Sequence, residues 1–168
     1  QAEQAVLGSV LIDRGCLRRV GPLLREEDFA VELDRAIWRV LTEMDGEGRA
    51  IDGITVATAL RDQGIGEDKA NREYLAQLMY ITPTSANVEA YAEIVRGASV
   101  RRSLRQALAD GVESLDGGAS PDDVAAQVEQ QTQAARQRGA ADLISPREQM
   151  DEFYRYRESL DSGEKPYV

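Results

Sequence analysis

The stretch Thr82-Pro83-Thr84-Ser85-Ala86-Asn87-Val88-Glu89-Ala90-Tyr91-Ala92-Glu93-Ile94-Val95-Arg96 decides the fold, because a turn, a helix start and an apolar helix face follow one another in it without a break. Pro83 fixes its own φ and biases Thr82 towards extended backbone, while Thr84 or Ser85 is placed to cap the amides of the next turn. Beyond that cap, Val88, Tyr91, Ile94, Val95 and Ala98 recur at the steps of one helix face. The pattern predicts a long helix from Ser85 to about Leu115, whose later part keeps Leu104, Leu108, Val112 and Leu115 in register.

Working upstream, residues 3–12 read as a short helix with Val6, Leu7, Val10 and Leu11 on one side and Asp13-Arg14-Gly15 as its stop. A second short helix carries Leu17, Val20, Leu23 and Leu24, with Pro22 interrupting it. Residues 33–44 place Leu33, Ile37, Val40, Leu41 and Met44 at helical spacing, with Trp38 as a core anchor and Gly46 and Gly48 as terminators. Asp52 caps a helix through Ile54, Val56, Ala57 and Leu60 that ends at Gly64, and Tyr74, Leu75, Leu78 and Met79 make a further amphipathic turn or two. No alternating strand pattern of useful length occurs. The expectation is an all-α chain with a compact multi-helix head over residues 1–97.

Downstream, Gly117-Gly118 breaks the long helix, and Ser120-Pro121-Asp122-Asp123 supplies a cap, a first-turn proline and acidic first-turn residues. A return helix to about Gln137 carries Val124, Val128 and Ala135 on a thin apolar side. Helices joined by so short a turn lie antiparallel, which predicts a long helical hairpin over residues 98–138. Its apolar stripe is too narrow to be stable alone, so the hairpin is expected to pair with another copy through Leu104, Leu108, Val112, Val124 and Val128. Residues 139–168 read as a linker with a docking helix. Arg138-Gly139-Ala140-Ala141 is its flexible break, Ser145-Pro146-Arg147-Glu148 starts its helix, and Met150, Phe153, Tyr154 and Leu160 form its docking stripe. The linker-like residues 161–166 and the absence of an initiator methionine predict a piece of a longer protein.

Composition excludes whole classes of function. A net charge of −10 over 168 residues argues against a surface built to hold a phosphate backbone; Arg101, Arg102 and Arg105 are the best candidate for a local basic patch, and their spacing reads as a solvated helix face. There is no histidine and one cysteine, so histidine acid–base chemistry, Cys/His zinc sites and intrachain disulfides are ruled out. Cys16 reads as a small apolar residue. Acids such as Asp122-Asp123 or Glu26-Glu27-Asp28 point in different directions on a helix or serve its dipole, and no catalytic centre or metal site is expected. No apolar run approaches the ~18 residues of a membrane span, and a cytoplasmic setting is expected.

Several segments carry a family resemblance in sequence order. The opening run from Glu3 to Asp13, the turn Glu27-Asp28-Phe29, the pair Ile37-Trp38, the run Ile51-Asp52-Gly53-Ile54-Thr55-Val56 and the run Tyr74-Leu75-Ala76-Gln77-Leu78 join the 82–96 stretch in a chain that resembles the N-terminal domain and linker helix of DnaB-type replicative DNA helicases. The resemblance implies the collar of a hexameric ring, with hairpins pairing subunits and the linker helix docking on the ATPase domain of a neighbour. It also implies primase and a helicase loader as partners, with DNA contacted only through a motor domain. No Gly-x-x-x-x-Gly-Lys-Ser/Thr run occurs, so ATP and magnesium are expected in that motor and no cofactor in this chain. Departures stand at Asn71-Arg72, where a glycine pair is the family habit, and at Arg105 and Gly111 on the hairpin. A stand-alone helicase-like adaptor and the helicase-binding domain of a primase share this architecture and remain alternatives.

Overall fold

A computed structural model of the chain describes residues 1–140, and among them it contains seven α-helices, one short 3-10 turn and no strand. The all-α expectation holds, and the sequence periodicities reappear as a head of five helices with a helical hairpin leaving it.

The first helix, α1 (Ala2–Ile12), lies at the centre of the head. Val6, Leu7, Val10 and Leu11 are buried as their spacing predicts, but Gly8 and Ser9 on the other side are buried too. A helix enclosed on every side is the expected result when its surface is apolar or small all round. Ser9 remains satisfied there because its hydroxyl donates to the Ala5 carbonyl at 2.6 Å. α1 packs against α5 (Asp68–Ile81) and α6 (Val88–Asp116).

α2 (Gly15–Val20) is shorter than the expected helix through Leu24. The Gly21 amide still reaches the Leu17 carbonyl, but Leu23 and Leu24 both turn back to the Val20 carbonyl at 3.0 and 3.1 Å. Pro22 has no N–H to continue the ladder, so the chain bends there while Leu24 stays buried. The 3-10 turn Glu26–Asp28 then presents Phe29 to the core, and α3 (Glu32–Gly46) follows with Ile37, Trp38, Val40, Leu41 and Met44 inward. Gly46 is the last residue of this helix, and Gly48 completes the stop with a φ of +70°, in the left-handed region that glycine enters without strain.

α4 (Gly53–Asp62) begins as its sequence predicts, with the Asp52 carboxylate accepting from the Ile54 and Thr55 amides at 2.8 and 2.9 Å. These two bonds hold the Asp52 carboxyl below its ordinary range. α5 (Asp68–Ile81) is a full helix instead of a turn or two. Buried Asn71 explains part of the difference, because its amide donates to the Ile65 carbonyl at 2.7 Å and ties the preceding loop onto the helix start.

α6 (Val88–Asp116) starts three residues later than the cap chemistry of Thr84 or Ser85 predicts. Thr84 uses its hydroxyl to accept from the Ala86 amide at 3.1 Å, and the Ser85 carbonyl accepts from Val88, so both residues build the turn before the helix. The face turned to the head is Val88, Ala92, Val95 and Ser99, while Ile94 is 56% exposed and faces away from the core. α7 (Pro121–Ala140) returns antiparallel along α6 and continues through Gly139, so the expected break at 138–141 is helical up to Ala140.

Candidate assembly surface

The hairpin is held by small residues. On α6, Ala107 and Gly111 are buried against α7, and a Cβ at Gly111 would stand 2.8 Å from Val128 Cγ2 and 3.6 Å from Val124 Cγ1. The missing side chain at Gly111 therefore lets the two helices approach. Beside this contact, Ser103, Gln106, Ala107 and Asp110 face Gln131, Ala134 and Ala135 across a shallow groove, which matches the thin apolar side read from α7. At the far end, Gly118 takes a φ of +82°, and the Ala119 amide closes back on the Ser114 carbonyl at 3.0 Å.

The residues expected to pair hairpins thus divide into two groups. Val124 is buried and Val128 half-buried beneath their own α6, where both cover Gly111 within one chain. Leu108 and Val112 are 57% and 59% exposed, and Leu115 is 47% exposed in the same row, with Leu104 half-buried at its head end. Leu108, Val112 and Leu115 make an exposed apolar row on α6, which half-buried Leu104 continues towards the head. The expected docking stripe of Met150, Phe153, Tyr154 and Leu160 lies outside the described residues.

At the root of the hairpin, Arg102 reaches back to the head. Its guanidinium donates to Glu3 Oε1 at 3.5 Å and to the Asp28 carbonyl, and the other Glu3 oxygen accepts from the Ala30 amide at 3.0 Å. Behind this clamp, the Tyr74 hydroxyl donates to Asp34 Oδ1 at 2.7 Å, and Gln4 donates to Tyr74 at 3.5 Å. Asp34 is 1% exposed. Burial raises its carboxyl above the ordinary value, against the lowering effect of the Tyr74 hydrogen bond, and burial likewise pushes Tyr74 up to about 12. This pair was not read from the sequence. The available signal was the step from Asp34 to Ile37 and Leu41, which sets an acid in line with the apolar side of α3.

The raised Asp34 carboxyl carries a definite sign. Folding favours its protonated form, so the stability it contributes is fully present below the unfolded Asp value and is lost as pH rises through the raised folded value. Asp34→Asn removes that loss. Relative to wild type, the variant should gain stability between those two values, measured by urea midpoints across mildly acidic to neutral pH. Parallel profiles for the two proteins would refute the assignment.

A second apolar surface lies where α1, α5 and α6 meet. Ala2, Ala5, Ile81, Pro83, Tyr91 and Ile94 line a groove there, and Tyr80 beside it is 90% exposed. Across the opposite side of the α6 start, Arg19 holds Glu89 through two contacts of 2.9 Å and fastens α2 to the base of the long helix. No helix among the described residues is long and apolar enough to cross a membrane.

Residues 1–97, the head and the start of α6, match the family model described as the DnaB-like helicase N terminal domain. The chain belongs to that family. Among relatives of this DnaB-like domain, the replicative DNA helicase DnaB of Pasteurella multocida is 34% identical over 104 residues, which is 62% of this chain and 22% of that protein. The replicative DNA helicase DnaB of Geobacillus stearothermophilus is 36% identical over 104 residues, again 62% of this chain and 23% of the relative. The match therefore spans under a quarter of either relative. In three dimensions, the crystal structure of the N-terminal domain of DnaB helicase from Mycobacterium tuberculosis superposes with a TM-score of 0.73 at 28% identity, covering 79% of this chain and 94% of that one. That share exceeds residues 1–97, so the likeness of the DnaB-like domain reaches into the hairpin.

Proposed function

We propose that this chain is the N-terminal assembly domain of an ATP-dependent replicative DNA helicase and acts in DNA replication by holding subunits of a hexameric ring together. One observation carries the reading: in a DnaB-like domain, α6 keeps Leu108, Val112 and Leu115 about half exposed in one row, away from its own α7. An apolar row of this kind on a projecting hairpin suits burial against a like surface, where a few central side chains supply most of the binding energy. The ring would present the collar to a primase and a helicase loader. ATP, magnesium and DNA belong to a motor domain with which this domain would share a polypeptide, and this chain itself should hydrolyse no nucleotide.

Assembly mass tests the reading. Light scattering over a range of concentrations should show association of the 168-residue chain, and Leu108→Asp together with Val112→Asp should weaken it by about 100-fold, on the scale of truncating a hot spot. Both sites are exposed in the single chain, so helix content by circular dichroism should not change. An unchanged mass in the double variant would overturn the proposal.

A further inference from the structure

We infer that the apolar groove where α1, α5 and α6 meet takes residues 148–160 of the same chain, with Met150, Phe153 and Tyr154 as the side chains that enter it. This goes beyond the assembly reading and does not depend on it, because Ile94 in the groove lies ~21 Å along α6 from Leu108.

The groove is suited to a helix face. Ala2 and Ala5 on α1 lie across from Ile81, Pro83, Tyr91 and Ile94 around a cavity of about 630 Å³. The alanines leave its floor open, while Ile81 and Ile94 are 40% and 56% exposed as its walls. A recess with so much apolar side chain left in water is a docking surface rather than ordinary scatter.

Reach is the first argument for the occupant. α7 runs back towards the head, and its Ala134 and Ala135 stand opposite Ser103 and Ala107 of α6, so Ala140 comes level with about Ser99. Ile94 is ~7.5 Å beyond that level and about 140° round α6 from Ala107, by way of exposed Gly97 and Arg101. Rounding a helix ~10–12 Å across to that point takes about 20 Å, and residues 141–149 span up to about 30 Å.

Side-chain pattern is the second. Met150, Phe153 and Tyr154 recur at i, i+3 and i+4, the spacing with which one helix face fills a groove, and they follow the helix-start signal Ser145-Pro146-Arg147-Glu148. Tethering is the third. A segment joined to its site by so short a connection is present there at roughly millimolar effective concentration, far above that of a second copy in dilute solution. While Met150, Phe153 and Tyr154 occupy the groove they are withheld from other surfaces. The head therefore stores this segment, in competition with the docking on a neighbouring ATPase domain that the family resemblance implies.

Two measurements on the whole chain test this, with buried Cys16 left in place. Under mild oxidation, Ile94→Cys with Phe153→Cys should close an intrachain disulfide at a yield independent of dilution. Ala119→Cys with Phe153→Cys is the control and should link at least tenfold more slowly. Ala119 is exposed at the hairpin turn, ~26 Å from the level of Ala140 and within the ~43 Å that residues 141–153 span at full extension, but it lies outside the groove. Equal linking of the two pairs would overturn the docking. Links from Ile94→Cys to Phe153→Cys found only between chains, and lost on dilution, would overturn its placement within one chain. Separately, Ile94→Asp changes an exposed site and should leave helix content by circular dichroism as it is, yet speed tryptic cleavage after Arg155 and Arg157 about tenfold. An unchanged cleavage rate would also overturn the proposal.

Discussion

Gly8→Ala should cost the domain about 3 kcal/mol, a large share of the ~5–15 kcal/mol that separates a typical domain from its unfolded state. A Cβ at this position would stand 2.0 Å from Thr82 Oγ1 and 2.4 Å from the Leu78 carbonyl oxygen. The second contact decides the matter. Thr82 could rotate, although it would then lose the bond its hydroxyl donates to the same carbonyl at 2.7 Å, but the carbonyl belongs to the backbone near the end of α5. Relief therefore requires α1 and α5 to separate, and both are packed core helices. Alanine would normally favour a helix interior over glycine by about 1 kcal/mol, so the loss measured is the clash less that gain. Gly97→Ala is the matched control: it lies inside α6 with nothing within 4 Å of its Cβ, and should stabilise by up to about 1 kcal/mol. Urea unfolding followed by circular dichroism separates the two. Equal midpoints for Gly8→Ala and wild type would show that α1 and α5 do not meet as described.

Where the chain alternates apolar and polar residues at helical spacing, its sequence was sufficient to locate the helices, as with α3 and α7. Boundaries failed where side chains had two uses. Thr84 can cap a helix or close a turn, and it closes a turn; Asn71 reads in sequence only as a departure from a family glycine pair, yet from inside α5 it holds the preceding loop. The apolar row of α6 misled at Ile94 because the sidedness of a long helix depends on what packs beside it. The head chose the face bearing Ala92 and Ser99, whose small side chains a hydrophobic pattern does not register.

The candidate surface on the hairpin was legible to the same extent. That Leu104, Leu108 and Val112 share one side of α6 follows from spacing alone, and spacing could not say that Val124 and Val128 would lie beneath their own α6. That division depends on Gly111, which reads in sequence as a weak point in an exposed helix and in three dimensions is the seat of Val128. Asp34, Tyr74 and the Arg102 clamp join residues far apart in the chain, and no local pattern links them.

Phe29→Ala should cost about 4 kcal/mol, within the ~3–5 kcal/mol range for removing a buried aromatic ring. Phe29 is 0% exposed, and its ring centroid lies 5.2 Å from that of Trp38 at a tilt of 33°. Part of the loss is this pairing, worth roughly 1 kcal/mol beyond the area buried. The surroundings cannot close over the vacancy, because the backbone on either side of Phe29 is tied down. Its own carbonyl accepts from Arg35 Nε at 2.6 Å, the Asp28 carboxylate accepts from the Arg25 amide at 2.8 Å, and the Asp28 carbonyl accepts from Arg102. A turn fixed by bonds to α3 and α6 holds the cavity open, which puts the cost towards the upper part of the range. Phe29→Leu, which keeps most of the volume, should lose only about 1.5 kcal/mol. Trp38 is the sole tryptophan, so its fluorescence reports the change at the site while circular dichroism follows the whole domain. Both signals should give one urea midpoint, lowered at unchanged slope. A loss under ~1 kcal/mol for Phe29→Ala would mean the pocket collapses after all, and the turn would then have to be free of the three bonds that fasten it.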